Sequence, residues 1–145
     1  MKQIEIKAAI ENLIDTFLYA GKVSIELRKK GLIKEIKEDN TPVSNGDLEV
    51  NRILTEKINN LTPQIPIVSE ETSHNKSKKD LKNFWLIDPI DGTYDYINDL
   101  DEFTLNAGLI INNRAVAGII YAPAKNRLFY SYEKGCSFEI INSNM

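Results

Sequence analysis

Apolar residues recur mostly three or four positions apart between Ile4 and Lys30, at Ile6, Ile10, Leu13, Ile14, Phe17, Leu18, Val23, Ile25 and Leu27, and Gly31 follows as a stop. That period predicts one long amphipathic helix. From Leu32 to Glu38 the pattern changes. Ile33 and Ile36 stand among charges and Asn40-Thr41-Pro42 closes the stretch, which predicts a short extended arm or hairpin and then a turn. Ser44-Asn45-Gly46-Asp47 places an acidic residue three positions after a serine, ahead of the apolar stripe Leu48, Val50, Ile53, Leu54 and Ile58. A second helix, capped at Ser44 and ending near Asn60, follows from this.

Beyond Pro63 the helical period disappears. Short extended segments replace it: Ile65 to Ser69, Phe84 to Ile87, Phe103 to Ile111, Ala115 to Tyr121, Leu128 to Tyr132 and Ser137 to Ile141. The connections Asn112-Asn113-Arg114 and Ala124-Lys125-Asn126-Arg127 have hairpin length and carry Asn where a tight turn needs it. Helices first and hairpins afterwards predict an α+β fold, with two N-terminal helices layered on a largely antiparallel sheet.

Composition narrows the function. A chain of 145 residues with 42% apolar and 27% charged residues is of ordinary globular type and fits one domain. Its net charge is −3 and its Lys and Arg are dispersed, whereas a nucleic-acid polymer or an anionic membrane calls for a clustered basic face. The biased segment His74-Asn75-Lys76-Ser77-Lys78-Lys79-Asp80 reads as a solvated loop, with phosphate steering as the alternative. His74 stands alone in it, without the partners a metal ligand needs. Cys136 is a single cysteine, read as a small apolar strand residue, and it allows no intramolecular disulfide. No apolar run reaches the ~18 residues of a membrane span, and Met1-Lys2-Gln3-Ile4-Glu5 lacks the apolar block of a secretion signal. A soluble cytoplasmic protein is the expectation.

The chemistry concentrates in two short segments at predicted strand ends: Glu70 with Glu71 beside it, and Asp88 with Asp91. Pro89 pushes Asp88 into an extended conformation, so that its carboxylate and the Ile90 carbonyl can face the same side. Oxygen-only donors suit a hard cation, and no His or Cys cluster points to zinc. Mg²⁺ fits these donors best, with Mn²⁺ the alternative. Gly92 allows backbone to approach a ligand, and a helix starting at Thr93 would turn free N–H groups toward a phosphate. Each feature also has a plain structural reading. Acidic pairs before loops are common, Asp-Pro-Ile-Asp-Gly is a good turn sequence, and the spacing of Asp47 from Ser44 accounts for it as part of a capping box.

Together, Trp85-Leu86-Ile87-Asp88-Pro89-Ile90-Asp91-Gly92-Thr93, the preceding Ser69-Glu70-Glu71 and the upstream stretch from Lys37 to Ser44 followed by Asp47 resemble, in order and spacing, the motifs of the inositol monophosphatase superfamily. Asp39-Asn40-Thr41-Pro42-Val43-Ser44, Glu102-Phe103-Thr104-Leu105-Asn106 and Tyr121-Ala122-Pro123 look most like its CysQ-type 3′(2′),5′-bisphosphate nucleotidase branch. The resemblance implies a sugar-phosphatase-like fold and a Mg²⁺-dependent phosphomonoesterase using two or three ions. It implies first-metal ligation by Glu70, Asp88 and the Ile90 carbonyl, with Asp88 bridging to a second metal also bound by Asp91. Glu70 and Thr93 would position the attacking water, Asp47 would take a proton through the Thr93 hydroxyl, and Gly92 and Thr93 would face the substrate phosphate. The implied substrate is 3′-phosphoadenosine 5′-phosphate, a by-product of sulfate assimilation, which would give AMP. An inositol phosphate is the alternative substrate, and homodimerisation and lithium inhibition are further expectations.

The resemblance runs from Ile4 to about Phe138, while members of the superfamily are about twice as long. The expectation is that residues 1–145 form the N-terminal metal-binding domain of a longer phosphatase. A Trp-Asp motif completing the second metal site, and much of the pocket for the substrate's leaving group, would lie in the other half. A non-catalytic cation-binding or dimerising module is the reading from another class.

Overall fold

A computed structural model of the chain describes residues 1–71 and 81–141, so the segment from His74 to Asp80 lies outside the described residues. Helix α1 runs over Gln3–Lys30 and α2 over Asn45–Leu61, close to the spans that the apolar periods predict. The Gly31 N–H donates to the Arg28 carbonyl at a φ of +96°, a backbone conformation that glycine adopts without steric cost. Between the helices, β1 (Lys34–Ile36) lies in the stretch expected to be extended, but the chain beyond the turn forms a second strand, β2 (Pro42–Ser44), antiparallel to it with Lys34 opposite Ser44.

The remaining strands form one six-stranded sheet, β3 (Ile67–Ser69), β4 (Phe84–Asp91), β5 (Thr104–Ile111), β6 (Arg114–Ala122), β7 (Arg127–Glu133) and β8 (Cys136–Ile141), arranged in that order. Among the described residues only β3 and β4 of this sheet are parallel; every later pair is antiparallel. Asn112 and Asn113, at φ of 50° and 65°, make the two-residue turn between β5 and β6, because that turn type needs two left-handed residues. The α+β architecture with a largely antiparallel sheet is thus the observed one. No helix among the described residues is long and apolar enough to cross a membrane.

One boundary differs in a way that matters. A strand ending at Ile87, just before the first aspartate, was the reading of the alternation; β4 instead continues to Asp91. Its pairing with β5 shifts register between Asp88 and Asp91. Pro89, which has no N–H to donate, sits in that irregularity, where proline is tolerated within a sheet. Asp88 and Asp91 therefore lie on strand backbone, on either side of a bulge, rather than in a loop beyond it.

Both long helices lie on one face of the sheet, α1 against β6 and β7 and α2 against β4. Ile10, Leu13 and Phe17 of α1 and Val50, Leu54 and Ile58 of α2 are fully buried against Trp85, Ile87, Leu105, Leu109, Ile119 and Leu128. Burying this apolar set is the main term holding the layers together. Two polar ties orient it. Trp85 Nε1 donates to Thr62 Oγ1 at 3.0 Å at the C-terminal end of α2, and the Tyr96 hydroxyl donates to the Ser24 carbonyl of α1 at 2.7 Å.

Candidate metal and phosphate site

The bulge of β4, the chain leaving β3 and the β1–β2 arm come together at one end of the sheet. A cavity of about 350 Å³ there is lined by Lys37, Asp39 and Thr41 of the arm, Glu70 and Glu71 after β3, and Asp88, Ile90, Asp91, Gly92 and Thr93 of β4 and the turn beyond it. All six metal- and phosphate-site residues proposed from sequence, Glu70, Asp88, Ile90, Asp91, Gly92 and Thr93, line this one space.

Parallel pairing of β3 with β4 accounts for the meeting of the two acidic segments. Ser69 lies opposite Ile87, and the next N–H, that of Glu70, donates to the Ile87 carbonyl at 3.1 Å. Two parallel strands thus deliver Glu70 and Asp88 to the same edge. Gly92 turns the chain at a φ of +88°, and a Cβ there would stand 2.6 Å from the Glu102 carbonyl oxygen, so the turn needs glycine on both counts. A short helix, α3 (Thr93–Ile97), begins directly after it, which meets the condition set for free N–H groups at Thr93.

Asp47 lies outside the cavity lining, fully buried on the first turn of α2. Its two oxygens divide their work. Oδ2 accepts from the Ser44 backbone N–H at 2.9 Å and the Ser44 hydroxyl at 2.6 Å, completing the capping box, while Oδ1 accepts from the Thr93 hydroxyl at 2.8 Å. The cap and the contact with Thr93 therefore coexist in one side chain. The Ile90 carbonyl oxygen is 3.1 Å from the same Thr93 hydroxyl.

The electrostatics of the cavity are unbalanced. Burial, followed by the charges of Asp91, Glu70, Glu71 and Asp47, pushes Asp88 up to about 6. Burial also raises Glu71, and Lys37, whose Nζ is 3.7 Å from Glu71 Oε2, partly offsets this. A half-buried carboxylate among several others is an environment that a divalent cation would relieve. The donors are oxygen throughout, three carboxylates and one backbone carbonyl, which suits Mg²⁺ or Mn²⁺. The side chains line the cavity without closing on a point: among the described residues, no group of three or more His, Cys, Asp or Glu is gathered tightly enough to hold an ion. Mutual repulsion of uncompensated carboxylates acts in that direction, and the Ile90 carbonyl belongs to the donor set without being a titratable group.

Lys37, which in the sequence is only the first residue of the upstream stretch, is a cation facing the acidic pair. Sequence reasoning missed Asn51 altogether. This buried amide inside α2 accepts from the hydroxyl of Ser69, next to Glu70. A polar residue among the apolar positions of α2 was the available signal.

Two helices on one face of a largely antiparallel sheet, with a cavity lined by carboxylates at one sheet edge, define an α+β protein with an oxygen-donor site. Residues 6–140 match the inositol monophosphatase family, and the chain belongs to that family. The 3′(2′),5′-bisphosphate nucleotidase CysQ of Haemophilus influenzae is 40% identical over 114 residues, 77% of this chain and 42% of that one. The crystal structure of CysQ from Bacteroides thetaiotaomicron is 28% identical with a TM-score of 0.66, covering 97% of this chain and 50% of that chain. An IMPase/NADP phosphatase complexed with Mg²⁺ and phosphate shares the fold at 17% identity and a TM-score of 0.74, with 90% of this chain and 50% of that one covered. This chain therefore spans half or less of the length of these relatives.

Proposed function

We propose that this chain provides the metal-binding and phosphate-activating half of a Mg²⁺-dependent phosphomonoesterase acting on 3′-phosphoadenosine 5′-phosphate, with AMP and phosphate as products. The observation that carries the reading is the convergence of Glu70, Asp88, the Ile90 carbonyl and Asp91 on the cavity bordered by Thr93, whose hydroxyl is already bonded to Asp47. The nucleotide substrate is favoured over an inositol phosphate by the identity to bisphosphate nucleotidases along most of the chain.

In this reading Glu70, Asp88, the Ile90 carbonyl and Asp91 hold the divalent cations. When bound, Mg²⁺ supplies Lewis-acid polarisation of the phosphate and lowers the pKa of water. Thr93 orients the attacking water through its free lone pairs, since its proton is committed to Asp47 Oδ1. As the water attacks, its proton passes to Thr93 Oγ1 while the hydroxyl's own proton moves to Asp47 Oδ1, so that Asp47 is the final acceptor. Glu70 orients the same water, and Gly92 gives the phosphate close access to the backbone. The other half of the family's length would contribute the remaining ligand of the second cation and the recognition of the leaving group.

The test compares phosphate release from 3′-phosphoadenosine 5′-phosphate and from inositol 1-phosphate by the complete protein in Mg²⁺. The expected outcome is a strong preference for the nucleotide, loss of turnover on chelation, and loss of turnover in Asp88→Asn. Preference for inositol 1-phosphate would overturn the substrate assignment. Full activity after thorough chelation would overturn the mechanism.

A further inference from the structure

Asp47 and Asn51 stand one turn apart on α2, and both are buried, at 0% and 4% exposure. Residues four apart lie on the same helix face, so these two present a polar strip within an otherwise apolar contact surface. Each reaches the end of a different strand. Asp47 Oδ1 accepts from the Thr93 hydroxyl beyond β4, and Asn51 Oδ1 accepts from the Ser69 hydroxyl at the end of β3, at 2.5 Å. Ser69 Oγ in turn accepts the Glu71 backbone N–H at 3.3 Å, and the Glu70 N–H is held by the Ile87 carbonyl. The acidic pair is thus tied from two sides, to β4 through its backbone and to α2 through Ser69 and Asn51.

An asparagine is a poor choice for a buried helix interior. Its helix propensity is low and its amide must be desolvated, whereas the neighbouring Val50, Ile53 and Leu54 show what that surface otherwise carries. The amide does offer a strong acceptor for Ser69 without adding another negative charge to the carboxylate cluster.

We propose that Asn51 is a positioning residue: through Ser69 it fixes the Glu70–Glu71 backbone relative to the turn that Asp47 holds at Thr93. One turn of α2 then sets the separation between the two halves of the cation site. The inference rests on reading Glu70, Asp88, Ile90 and Asp91 as cation ligands. Groups that orient metal ligands from behind typically alter affinity by about 10- to 100-fold.

The experiment titrates Mn²⁺ into the 145-residue chain, following free Mn²⁺ by electron paramagnetic resonance, with thermal unfolding and circular dichroism on each variant. Asn51→Ala and Ser69→Ala break the tie from opposite sides, so the measurement survives if one of them fails to fold. Both should weaken Mn²⁺ binding by about tenfold or more, and the double variant should lose no more than Ser69→Ala alone, since Asn51 acts through Ser69. Thr62→Val serves as the structural control: it deletes the two buried hydrogen bonds of the Thr62 hydroxyl, from Trp85 and to the Ile58 carbonyl, at the far end of α2 and should lower the unfolding temperature while leaving Mn²⁺ affinity unchanged. Asp88→Asn should abolish tight binding.

Wild-type affinity in folded Asn51→Ala or Ser69→Ala, with binding lost in Asp88→Asn, overturns the positioning role and leaves the metal site standing. An equal loss of affinity in Thr62→Val would also overturn it, by showing that affinity follows general stability. A chain that binds no Mn²⁺ at all overturns the metal reading, and this inference with it.

Discussion

The two ends of helix α2 do opposite kinds of work with similar bonds. At its C-terminal end, Thr62 accepts one neutral hydrogen bond from Trp85, a fully buried ring. At its N-terminal end, Asp47 and Asn51 accept from Thr93 and Ser69 at the edge of a cavity where Asp88 is pushed up to about 6. The first end is buried, with Thr62 at 2% and Trp85 at 0% exposure. The second gathers like charges and holds them in place by its connections to the helix. Stability and chemistry are thus separated along about 25 Å of one helix, taking ~1.5 Å per residue over its 17 residues.

This contrast can be broken from either end. The largest effect is expected for Asp47→Asn, whose single amide oxygen can still accept from Ser44 while its N–H₂ faces Thr93, leaving the Thr93 hydroxyl to donate to the Ile90 carbonyl and removing the proton sink. Turnover by the complete protein should fall about 10²- to 10⁴-fold, while the unfolding temperature changes little. A loss of turnover matched by unfolding would mean that Asp47 is a cap and nothing more.

Gly46→Ala comes next. A Cβ there would lie 2.1 Å from the Tyr96 hydroxyl, which is itself bonded to Ser24, so Tyr96 would have to leave its place between α1 and α2. Overpacking of this kind costs about 1–3 kcal/mol, measurable by urea denaturation. It would also disturb α3, which begins at Thr93 and contains Tyr96. Thr62→Val at the opposite end strips the Trp85 N–H of its partner, at about 1–3 kcal/mol for a buried donor. It should leave turnover intact. A fall in turnover comparable to that of Asp47→Asn would erase the distinction between the two ends.

The smallest effect is a pH dependence. Asp88 has its folded-state pKa raised from 3.8 to about 6. Between those values the folded chain binds protons that the unfolded chain has released, so the stability of the metal-free chain should decline as pH rises from about 4 to about 6 and level off above. Scanning unfolding temperature against pH checks this. The slope should flatten in Asp88→Asn, and saturating Mg²⁺ should raise the unfolding temperature above pH 6, because a ligand of the native state stabilises it.

The sequence carried most of the architecture in local signals. The helical periods give α1 and α2 nearly to the residue, the paired asparagines give the β5–β6 turn, and serine followed by aspartate gives the α2 cap. The cavity residues Glu70, Asp88, Ile90, Asp91, Gly92 and Thr93 were legible because two compact motifs hold them. The continuation of β4 through Pro89 was not, since proline ordinarily reads as a strand terminus and only pairing with β5 across a bulge carries the strand onward. Asn51 was not legible either. Its place among the apolar positions of α2 marks it as unusual, but its partner stands 18 positions away and does not show in the local pattern.

What the sequence determined by itself are the elements and the residue types at their ends, because backbone dihedral preferences and apolar periodicity act over a few residues. Tertiary structure decided which of those ends meet. Asp47 reaches Thr93 across 46 positions, Asn51 reaches Ser69 across 18, and Lys37 of the arm faces Glu71, only because α2 lies across the parallel β3–β4 pair. That placement follows from burying an apolar helix face against Trp85 and Ile87. Because this force is strong and non-directional, it sets where the helix lies, and the hydrogen bonds at the cavity edge then select the arrangement in which every buried polar side chain among the described residues finds a partner.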